Sequence, residues 1–458
     1  MTADAQEPRA PSTTMASRST MRRDIGSAYI ASLSRIASWA IVSGIVFRVL
    51  GPGPFALLTL VRATIGLLNY LTLGLGPAMI HLLAQDSEVE RPHVQQVYAS
   101  GLALSFGAFI VGAALLCLYA INFDRLHALP AGIDASLAWR FVLLMGFATL
   151  LRLASEASGA VLQARGAIFH DNMILAAGEA VWLGVTMTLP IIRSPGLITV
   201  GVGFLLAQLV VLAGRLYGAS RLSSLLFPPF NLLSRPVLRM LLSFGLLVAL
   251  AQLADYLYAP TDYILINRLL DPNLGAVYAP AVQIDSGLLV LVTGLSAVLL
   301  PKAAVAHAGG WTRTVRRYYL RGTLASLGLL AGAALLIWLL SSWLLRAWLA
   351  DPMLQTQAIL PLVLTHTVVG GSSAVGRSIL LAVGKVRPFT ISVLIAGVTN
   401  VVCSFIFVRY LHWGLAGIVL GTIVAVVGRC GLWMPWYVLK STAERDHPVG
   451  PISSPRLP

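Results

Sequence analysis

The feature of this sequence that most limits its fold is a series of long apolar segments. A transmembrane helix needs about 20 consecutive apolar residues to cross a hydrocarbon core of ~30 Å. A chain that is 57% hydrophobic and 11% charged is also too apolar for an ordinary soluble domain. The sequence therefore predicts an all-α polytopic integral membrane protein with about 12 transmembrane helices, at 25–50, 54–83, 98–120, 137–163, 172–192, 196–217, 237–268, 275–301, 321–346, 357–383, 388–409 and 413–440.

The basic residues indicate which way the helices run. If the N-terminus is cytoplasmic, 20 Lys and Arg residues, Arg215 among them, lie in the cytoplasmic connections and tails or at the adjoining span ends, and 6 lie in the outside connections or at the span ends beside them. Cytoplasmic loops of membrane proteins carry such an excess of Lys and Arg. We therefore predict that both termini are cytoplasmic. The net charge of +14 is then a topology signal, and no nucleic acid is expected as a partner.

Three pairs of junctions repeat at a nearly constant offset. The helix-ending glycines Gly166 and Gly384 lie 218 positions apart, as do "GLITVGVG" (196–203) and "GLAGIVLG" (414–421). The junctions "FRVLGPGPFALL" (47–58) and "NRLLDPNLGAVY" (267–278) lie 220 apart. This order predicts two six-helix lobes related by an internal parallel repeat, which is typical of transporters. The predicted division is a disordered cytoplasmic tail at 1–24, lobes at 25–219 and 237–440, a cytoplasmic linker at 220–236, and a disordered cytoplasmic tail at 441–458.

Ionisable residues occur inside the apolar segments. A charge at the centre of a bilayer costs a few kcal/mol on insertion scales, so these side chains are expected to face the protein interior or a hydrated cavity. Because a guanidinium group binds phosphate oxygens well, the basic set is the candidate substrate-binding set. The basic set is Arg35, Arg62, Arg152, Arg377 and Arg429, and the candidate ion-coupling acids are Asp255, Asp262, Asp285, Glu156 and Glu179.

Asp255, Asp262 and Asp285 are predicted to lie on one helical hairpin of the second lobe. We expect Asp255 and Asp285 to form a coupling site at similar depth and Asp262 to act as a gate toward the periplasm. The alternative is structural: these acids pair with Arg377 or Arg429, and Arg152 pairs with Glu156 one turn away. His366 is expected to be an interior histidine whose hydrogen bonds are satisfied.

Other classes of function have less support. Cys117, Cys403 and Cys430 fall in apolar segments, and no spacing predicts a disulfide, a metal site or a cofactor. The longest outside connection, near 121–138, has under twenty residues, whereas enzymes that act on lipid-linked sugars generally carry a large external domain. We therefore do not expect an enzyme, and a membrane-embedded enzyme of polysaccharide assembly is the least favoured alternative.

Two stretches resemble a known family. "TDYILINRLLDPNLGAVYAPAVQI" (261–284), followed by "LLPKAA" (299–304), is similar to the junction between the seventh and eighth helices of Wzx-type polysaccharide repeat-unit flippases. "LAVGKVRPFTISVLIAGVTNVVCSFIFVRYLHWGLAGIVLGT" (381–422) resembles their last helices, with a Gly-Lys connection and an Asn in the next helix. These flippases belong to the multidrug/oligosaccharidyl-lipid/polysaccharide exporter superfamily, and the resemblance covers residues 25 to 440.

The resemblance implies a V-shaped pair of lobes in the bacterial inner membrane that opens alternately to either side. The implied cargo is a lipid-linked oligosaccharide on undecaprenyl pyrophosphate, flipped to the periplasmic leaflet for surface polysaccharide synthesis. Relatives that flip the peptidoglycan precursor use cationic residues in their first helices, where Arg35 and Arg62 lie, but they typically have fourteen helices. The driving ion, H⁺ or Na⁺ or none, stays open, as does a polysaccharide polymerase or chain-length regulator as partner. The runner-up is a cation-coupled multidrug extruder of the same superfamily.

Overall fold

The computed structural model describes residues 15–72, 74–85, 91–191, 195–223, 230–243 and 259–443. The regular structure of these residues is helical. In the first half the helices are α1 Met15–Leu50, α2 Pro52–Ile65, α3 Leu75–Gln85, α4 Arg91–Ile121, α5 Phe123–Leu126, α6 Ala135–Ala154, α7 Glu156–Ala164, α8 Ile168–Thr186 and α9 Leu197–Ser223. In the second half they are α10 Ala259–Leu269, α11 Leu274–Ala308, α12 Thr312–Leu349, α13 Leu354–Ser372, α14 Ala374–Ala382, α15 Val386–Arg409, α16 Gly414–Val426 and α17 Met434–Ala443.

Ten helical segments of the described residues are long and apolar enough to cross a membrane. The all-helical membrane architecture is therefore confirmed, and ten of the twelve predicted spans match these segments. The fifth predicted span corresponds to α8, which packs between α1 and α9 but is less apolar because it carries His170, Asp171, Asn172 and Glu179. Most of the seventh predicted span, residues 244–258, lies outside the described residues.

Two helix breaks lie at equivalent places in the two halves. The fourth predicted span is broken between α6 and α7 at Ser155, whose Oγ donates to Arg152 O over 2.7 Å. The tenth is broken between α13 and α14 at Ser373, whose Oγ donates to Gly370 O over 2.6 Å. Serine that bonds back to the preceding turn competes with the helical ladder. The two serines lie 218 positions apart, as the predicted repeat requires.

The glycines that end α7 and α14 repeat in the same way. Gly166 has φ 77° and Gly384 has φ 72°, the left-handed conformation that glycine adopts without a Cβ penalty. At each end, the amide after the glycine returns to a carbonyl five residues earlier: Ala167 N to Leu162 O, and Lys385 N to Leu380 O, both over 2.8 Å. The sequence match that suggested the repeat therefore reflects one helix-ending geometry used twice.

The hydrophobic core shows how the halves meet. One large buried cluster draws on both halves, including Phe55 and Phe141 from the first and Tyr278 and Leu360 from the second. Toward the end where α1 begins and α17 ends, the clusters are separate. One gathers around Met79 and Tyr98, with Val237 and Leu241 packed against it, and the other gathers around Tyr319. The halves are thus joined at one end, and at the other their cores are separate except that Val237 and Leu241, from the start of the predicted second lobe, pack in the first-half cluster.

Polar contacts between the halves concentrate at the joined end. Asn267 binds the connection after α5: its Oδ1 accepts from Ala128 N over 3.1 Å and its Nδ2 donates to Ala128 O over 2.8 Å. Trp348 Nε1 donates to Ala40 O over 2.6 Å, and Arg48 Nε donates to Trp348 O over 3.0 Å. We call this joined end, with the connections 122–134, 267–274 and 346–354, the closed end.

Candidate substrate cavity and charged sites

A cavity of about 590 Å³ lies between the two halves. Its first-half wall comes from α1, α2 and the short 3₁₀ helix Gly66–Thr72, and its second-half wall comes from α10 and α11. We call it the interlobe cavity. Among the described residues its lining includes Arg35 and Arg62 and no carboxylate: these residues are Arg35, Ile36, Trp39, Ala40, Thr59, Arg62, Ala63, Gly66, Asn69, Tyr70, Pro260, Tyr263, Val282, Gln283, Ser286 and Val290.

Arg62 is held by stacking. Its Cζ lies 3.6 Å from the centroid of the Trp39 ring, and Trp39 stacks in turn on Trp182 at 5.8 Å. A guanidinium over a desolvated indole gains about 2 kcal/mol or more. Stacking uses the face of the guanidinium and leaves its N–H groups available. Arg62 Nη1 is buried and has no hydrogen-bond partner among the described residues. The side chain is therefore fixed in position with an unused donor.

Arg35 connects the interlobe cavity to a smaller one. It lines both the interlobe cavity and a cavity of about 200 Å³ inside the first half. Arg152, Glu179, Asn172 and Gln208 line the smaller cavity. Glu179 Oε2 is buried and lacks a hydrogen-bond partner among the described residues. The first half thus brings together Arg35, Arg152 and Glu179 from three different predicted spans, with an unpaired carboxylate oxygen among them.

Glu156 has a structural partner other than the predicted one. Its Oε1 accepts from Gly76 N over 3.2 Å, next to the start of α3. A backbone amide in the first turn of a helix has no intrahelical acceptor, so a carboxylate stabilises it. A Cβ on Gly76 would lie 2.9 Å from that oxygen, which explains the glycine. Arg152 and Glu156 share a cavity of about 390 Å³, but their side chains do not form an ion pair in the described structure.

A buried ion pair in the first half was not predicted. Arg215 Nε donates to Asp171 Oδ1 over 2.8 Å and its Nη2 donates to Oδ2 over 3.1 Å, while its Nη1 donates to Ser155 Oγ over 3.2 Å. Gln163 Nε2 donates to the same carboxylate over 2.7 Å. Arg215, which the count of basic residues grouped with the cytoplasmic connections, is therefore a buried partner of Asp171. It lies inside α9, is 8% exposed, and joins α9 to α8 and to the helix break at Ser155.

Asp262 is the centre of a polar cluster in the second half. It is fully buried, and three side chains donate to it: Tyr278 Oη over 2.8 Å, Asn400 Nδ2 over 3.0 Å and Thr422 Oγ1 over 2.9 Å. Ser404 Oγ extends the cluster, because it lies 3.3 Å from Asn400 Oδ1 and donates to Ile418 O over 3.1 Å. The Asp262 cluster, as we call these groups, joins α10, α11, α15 and α16.

Asp262 and Asp285 both line a cavity of about 410 Å³ in the second half. Asp285 Oδ1 accepts from Thr367 Oγ1 over 2.6 Å, and His366 is near enough to interact with the charge of Asp285. Arg377 and Arg429 also line this cavity, with their Cζ atoms 5.7 and 5.0 Å from the Phe389 ring centroid. Four of the predicted site residues, Asp262, Asp285, Arg377 and Arg429, thus meet here. Asp255 lies outside the described residues.

Several residues of these sites were missed by the sequence analysis. Trp39 and Gln283 were not singled out because an aromatic or a glutamine in an apolar segment has no distinctive spacing. Ser43 Oγ donates to Gln283 Oε1 over 2.9 Å, and Gln283 Nε2 is buried without a hydrogen-bond partner among the described residues. Thr422 and Ser404 read as small packing residues. Asn400 did have a signal, since it is the Asn of the quoted 381–422 stretch.

Comparisons with known proteins agree with this architecture. The MatE family model matches residues 248–406. No curated protein sequence matches the chain significantly. Among solved structures, an inward-facing multidrug resistance MATE family transporter of the MOP superfamily superposes with a TM-score of 0.77 at 17% identity, covering 91% of this chain and 96% of that one.

Two further solved structures also superpose on this chain. The lipid II flippase MurJ in its inward closed conformation has a TM-score of 0.70 at 15% identity, covering 91% of this chain and 87% of that one. An outward-facing multidrug resistance MATE family transporter has a TM-score of 0.61 at 17% identity, covering 93% of this chain and 95% of that one. The chain therefore has the helical fold that these MATE transporters and the MurJ flippase share, and its residues 248–406 match the MatE family model.

Proposed function

We propose that this protein flips a lipid-linked oligosaccharide across the bacterial inner membrane by alternating access of its two halves. The observation that carries the proposal is the unused guanidinium donor of Arg62 in an interlobe cavity whose described lining residues include Arg35 and no carboxylate. A pyrophosphate head brings about two negative charges and many acceptor oxygens. Arginine side chains in a sheltered cavity bind such a group more strongly than in water, because the attraction is less screened.

The position of the acids also favours an anionic cargo. By sequence alone, five buried bases and five buried acids leave the sign of the cargo open. In the structure, Asp262 and Asp285 line the second-half cavity, and Glu156 and Glu179 line cavities within the first half. A cationic drug would gain little from the interlobe cavity. The multidrug extruder is for this reason the second candidate, and it is separated from the first by testing transport of a cationic dye.

Coupling to an ion gradient is proposed for the second half. The Asp262 cluster offers a carboxylate, an amide oxygen, three hydroxyls and the Ile418 carbonyl, and hard cations such as Na⁺ prefer oxygen ligands of these kinds. A proton on the carboxylate is the alternative. Because the cluster joins four helices, an ion bound there biases the arrangement of the halves if its affinity differs between them. We therefore shift the central coupling role from Asp255 and Asp285 to Asp262.

The test of the proposed cargo uses Arg62→Ala and Arg35→Ala in proteoliposomes that contain a fluorescent lipid-linked oligosaccharide. A hydrogen bond to a charged group contributes about 1.5–3 kcal/mol, so each variant is expected to lose on the order of tenfold to a hundredfold in flipping rate. Arg62→Lys should restore only part of the rate, because lysine lacks the planar fork.

The matched control is Arg239→Ala, an exposed arginine outside the cavities described, which should flip at the wild-type rate. Membrane abundance should be equal in all variants. If Arg62→Ala and Arg35→Ala both flip the lipid normally, the assignment of these residues fails. Export of a cationic dye without any lipid flipping would establish the multidrug function instead.

A further inference from the structure

A stripe of arginines runs along the exposed face of α12 at its first turns. Arg313, Arg316, Arg317 and Arg321 are all exposed, and their spacing of three, one and four residues places them on one side of the helix. Farther along, exposed leucines take over, including Leu324 at 66% exposure. The side of the helix that faces lipid is thus basic at its start and apolar beyond it.

The length of α12 places this arginine stripe at the membrane surface. A helix of 38 residues is about 57 Å long, roughly twice the ~30 Å hydrocarbon core. Its far end is fixed at the closed end, where Leu345 and Leu349 are buried. The excess length therefore projects at the Thr312 end. This is also the end of the molecule where α1 begins and α17 ends. Trp311, 60% exposed, precedes the stripe, and exposed Trp is typical of the membrane interface.

More basic residues surround the same part of the second half. Three exposed basic residues lie nearby: Lys302, Arg387 and Lys440. Each is within two residues of a member of the buried cluster that contains Val315 of α12, and these members are Ala303, Phe389 and Val438. The sequence has no acidic residue between Asp285 and Asp351 or between Asp351 and Glu444. No carboxylate from these stretches can neutralise the surface, so its field extends to whatever lies beside it.

The general rule for cytoplasmic loops does not account for the stripe. The helix at the equivalent place in the first half is α4, and after its first residue Arg91 it contains no arginine or lysine. Both helices start at the same end of the molecule, so topology alone would treat them alike. The concentration of charge on α12 is particular to the second half.

We propose that the arginine stripe of α12 binds the headgroups of anionic phospholipids, together with Lys302, Arg387 and Lys440. The lipids belong to the leaflet on the side where α1 begins and α17 ends. Charge complementarity selects this occupant, because a basic cluster next to a transmembrane helix and level with the headgroups meets anionic lipid phosphates. Lateral contact with lipid fits the exposed leucines that continue the stripe. The proposal is independent of the cargo.

The test measures thermal unfolding of the full-length protein in a neutral detergent with added short-chain phosphatidylglycerol, phosphatidylcholine or inorganic phosphate. Each arginine near an anionic surface contributes about fivefold in affinity, so Arg313→Gln/Arg316→Gln/Arg317→Gln should weaken phosphatidylglycerol binding on the order of a hundredfold. The matched control, Arg221→Gln/Arg235→Gln/Arg239→Gln, removes three exposed arginines of the same end outside the stripe and should respond as the wild type does.

Stabilisation by phosphatidylglycerol that is lost in the stripe variant and kept in the control supports the proposal. A stripe variant that responds like the wild type overturns it, as does stabilisation of equal size by phosphatidylcholine. Equal stabilisation by inorganic phosphate would identify a free-phosphate site and also overturns it. If the triple variant does not fold, the single variants Arg313→Gln and Arg317→Gln decide, with an expected loss of about fivefold each.

Discussion

Asp262 shows how much a single residue can organise in this protein. Both of its oxygens accept hydrogen bonds, and the three donors come from three other helices, α11, α15 and α16. Loss of any one of these donors is unfavourable, because it leaves part of a buried carboxylate without a hydrogen bond in a low-dielectric interior. The same arrangement makes the site sensitive to the charge on Asp262.

At this scale we expect Asp262→Asn to uncouple transport from an ion gradient. Asparagine keeps the size and one acceptor oxygen but removes the charge that binds a cation or a proton. Flipping of the lipid-linked oligosaccharide in proteoliposomes should then stop responding to an imposed Na⁺ or pH gradient, while downhill flipping persists. Asp285→Asn is the matched comparison, since Asp285 lies in the same cavity outside the Asp262 cluster. Gradient dependence that is retained in Asp262→Asn and lost in Asp285→Asn would move the coupling role to Asp285.

The sequence indicates which residues are charged inside apolar segments, but not their partners. Asp262 and Asp285 were identifiable because a carboxylate is rare in such a segment. Tyr278 and Thr422 were not, since a hydroxyl is common there and its role depends on which helices become neighbours. Arg215 is a related case: it lies near the end of the predicted span 196–217, and only the structure shows that its guanidinium binds Asp171.

Among the structural elements, the connection after α5 carries a buried histidine, His127, that contacts both halves. His127 is 6% exposed; Tyr119 Oη lies 2.9 Å from its Nε2, and Asn267 Oδ1 of the second half lies 3.3 Å from its Nδ1. Burial lowers the pKa of His127 to about 4, the hydrogen bond with Asn267 opposes the shift, and the charge of Arg268 adds to it. The imidazole is therefore neutral in the closed end at neutral pH.

We expect the closed end to loosen as the pH falls from about 6.5 toward about 4, because a released histidine with the ordinary pKa of about 6.5 takes up a proton while the buried one does not. Above about pH 6.5 the His127 imidazole is neutral in both the buried and the released form, so the equilibrium between these forms should not change with pH. Electron spin resonance distances between labels at Ala131→Cys and Asp271→Cys should lengthen in acid. His127→Gln, which does not titrate, should abolish the change. A pH response that survives in His127→Gln would mean that another group controls the closed end.

Helix positions were largely predictable, whereas helix interruptions were not. Ten spans followed from apolar length, but the breaks at Ser155 and Ser373 fall within apolar runs that carry neither Pro nor Gly at the break. A serine bends a helix only where its hydroxyl turns back to a carbonyl, and that choice depends on packing. Gly166 and Gly384 were predictable as helix ends because their role requires a positive φ.

The molecule as a whole is two halves that share a core at one end and separate toward the other. The sequence predicted two related lobes from repeated junctions, but it contained no information on how the lobes are arranged at a given moment. That depends on a small difference in free energy between two packings of the same surfaces. The contacts of Asn267, Trp348 and Arg48 are the ones that must break if the closed end is to open.

Alternating access therefore predicts that fixing the closed end stops transport. A Cβ on Gly275 of α11 would lie 3.8 Å from Ala56 Cβ of α2, the usual separation in a disulfide, and the pair joins the two halves. In a protein whose Cys117, Cys403 and Cys430 are replaced by alanine, Ala56→Cys/Gly275→Cys should transport when reduced, stop when oxidised, and recover after reduction. The single variants Ala56→Cys and Gly275→Cys should be insensitive to the oxidant. If fully cross-linked protein still transports at the reduced rate, the closed end does not open during the cycle and the two-lobe mechanism fails.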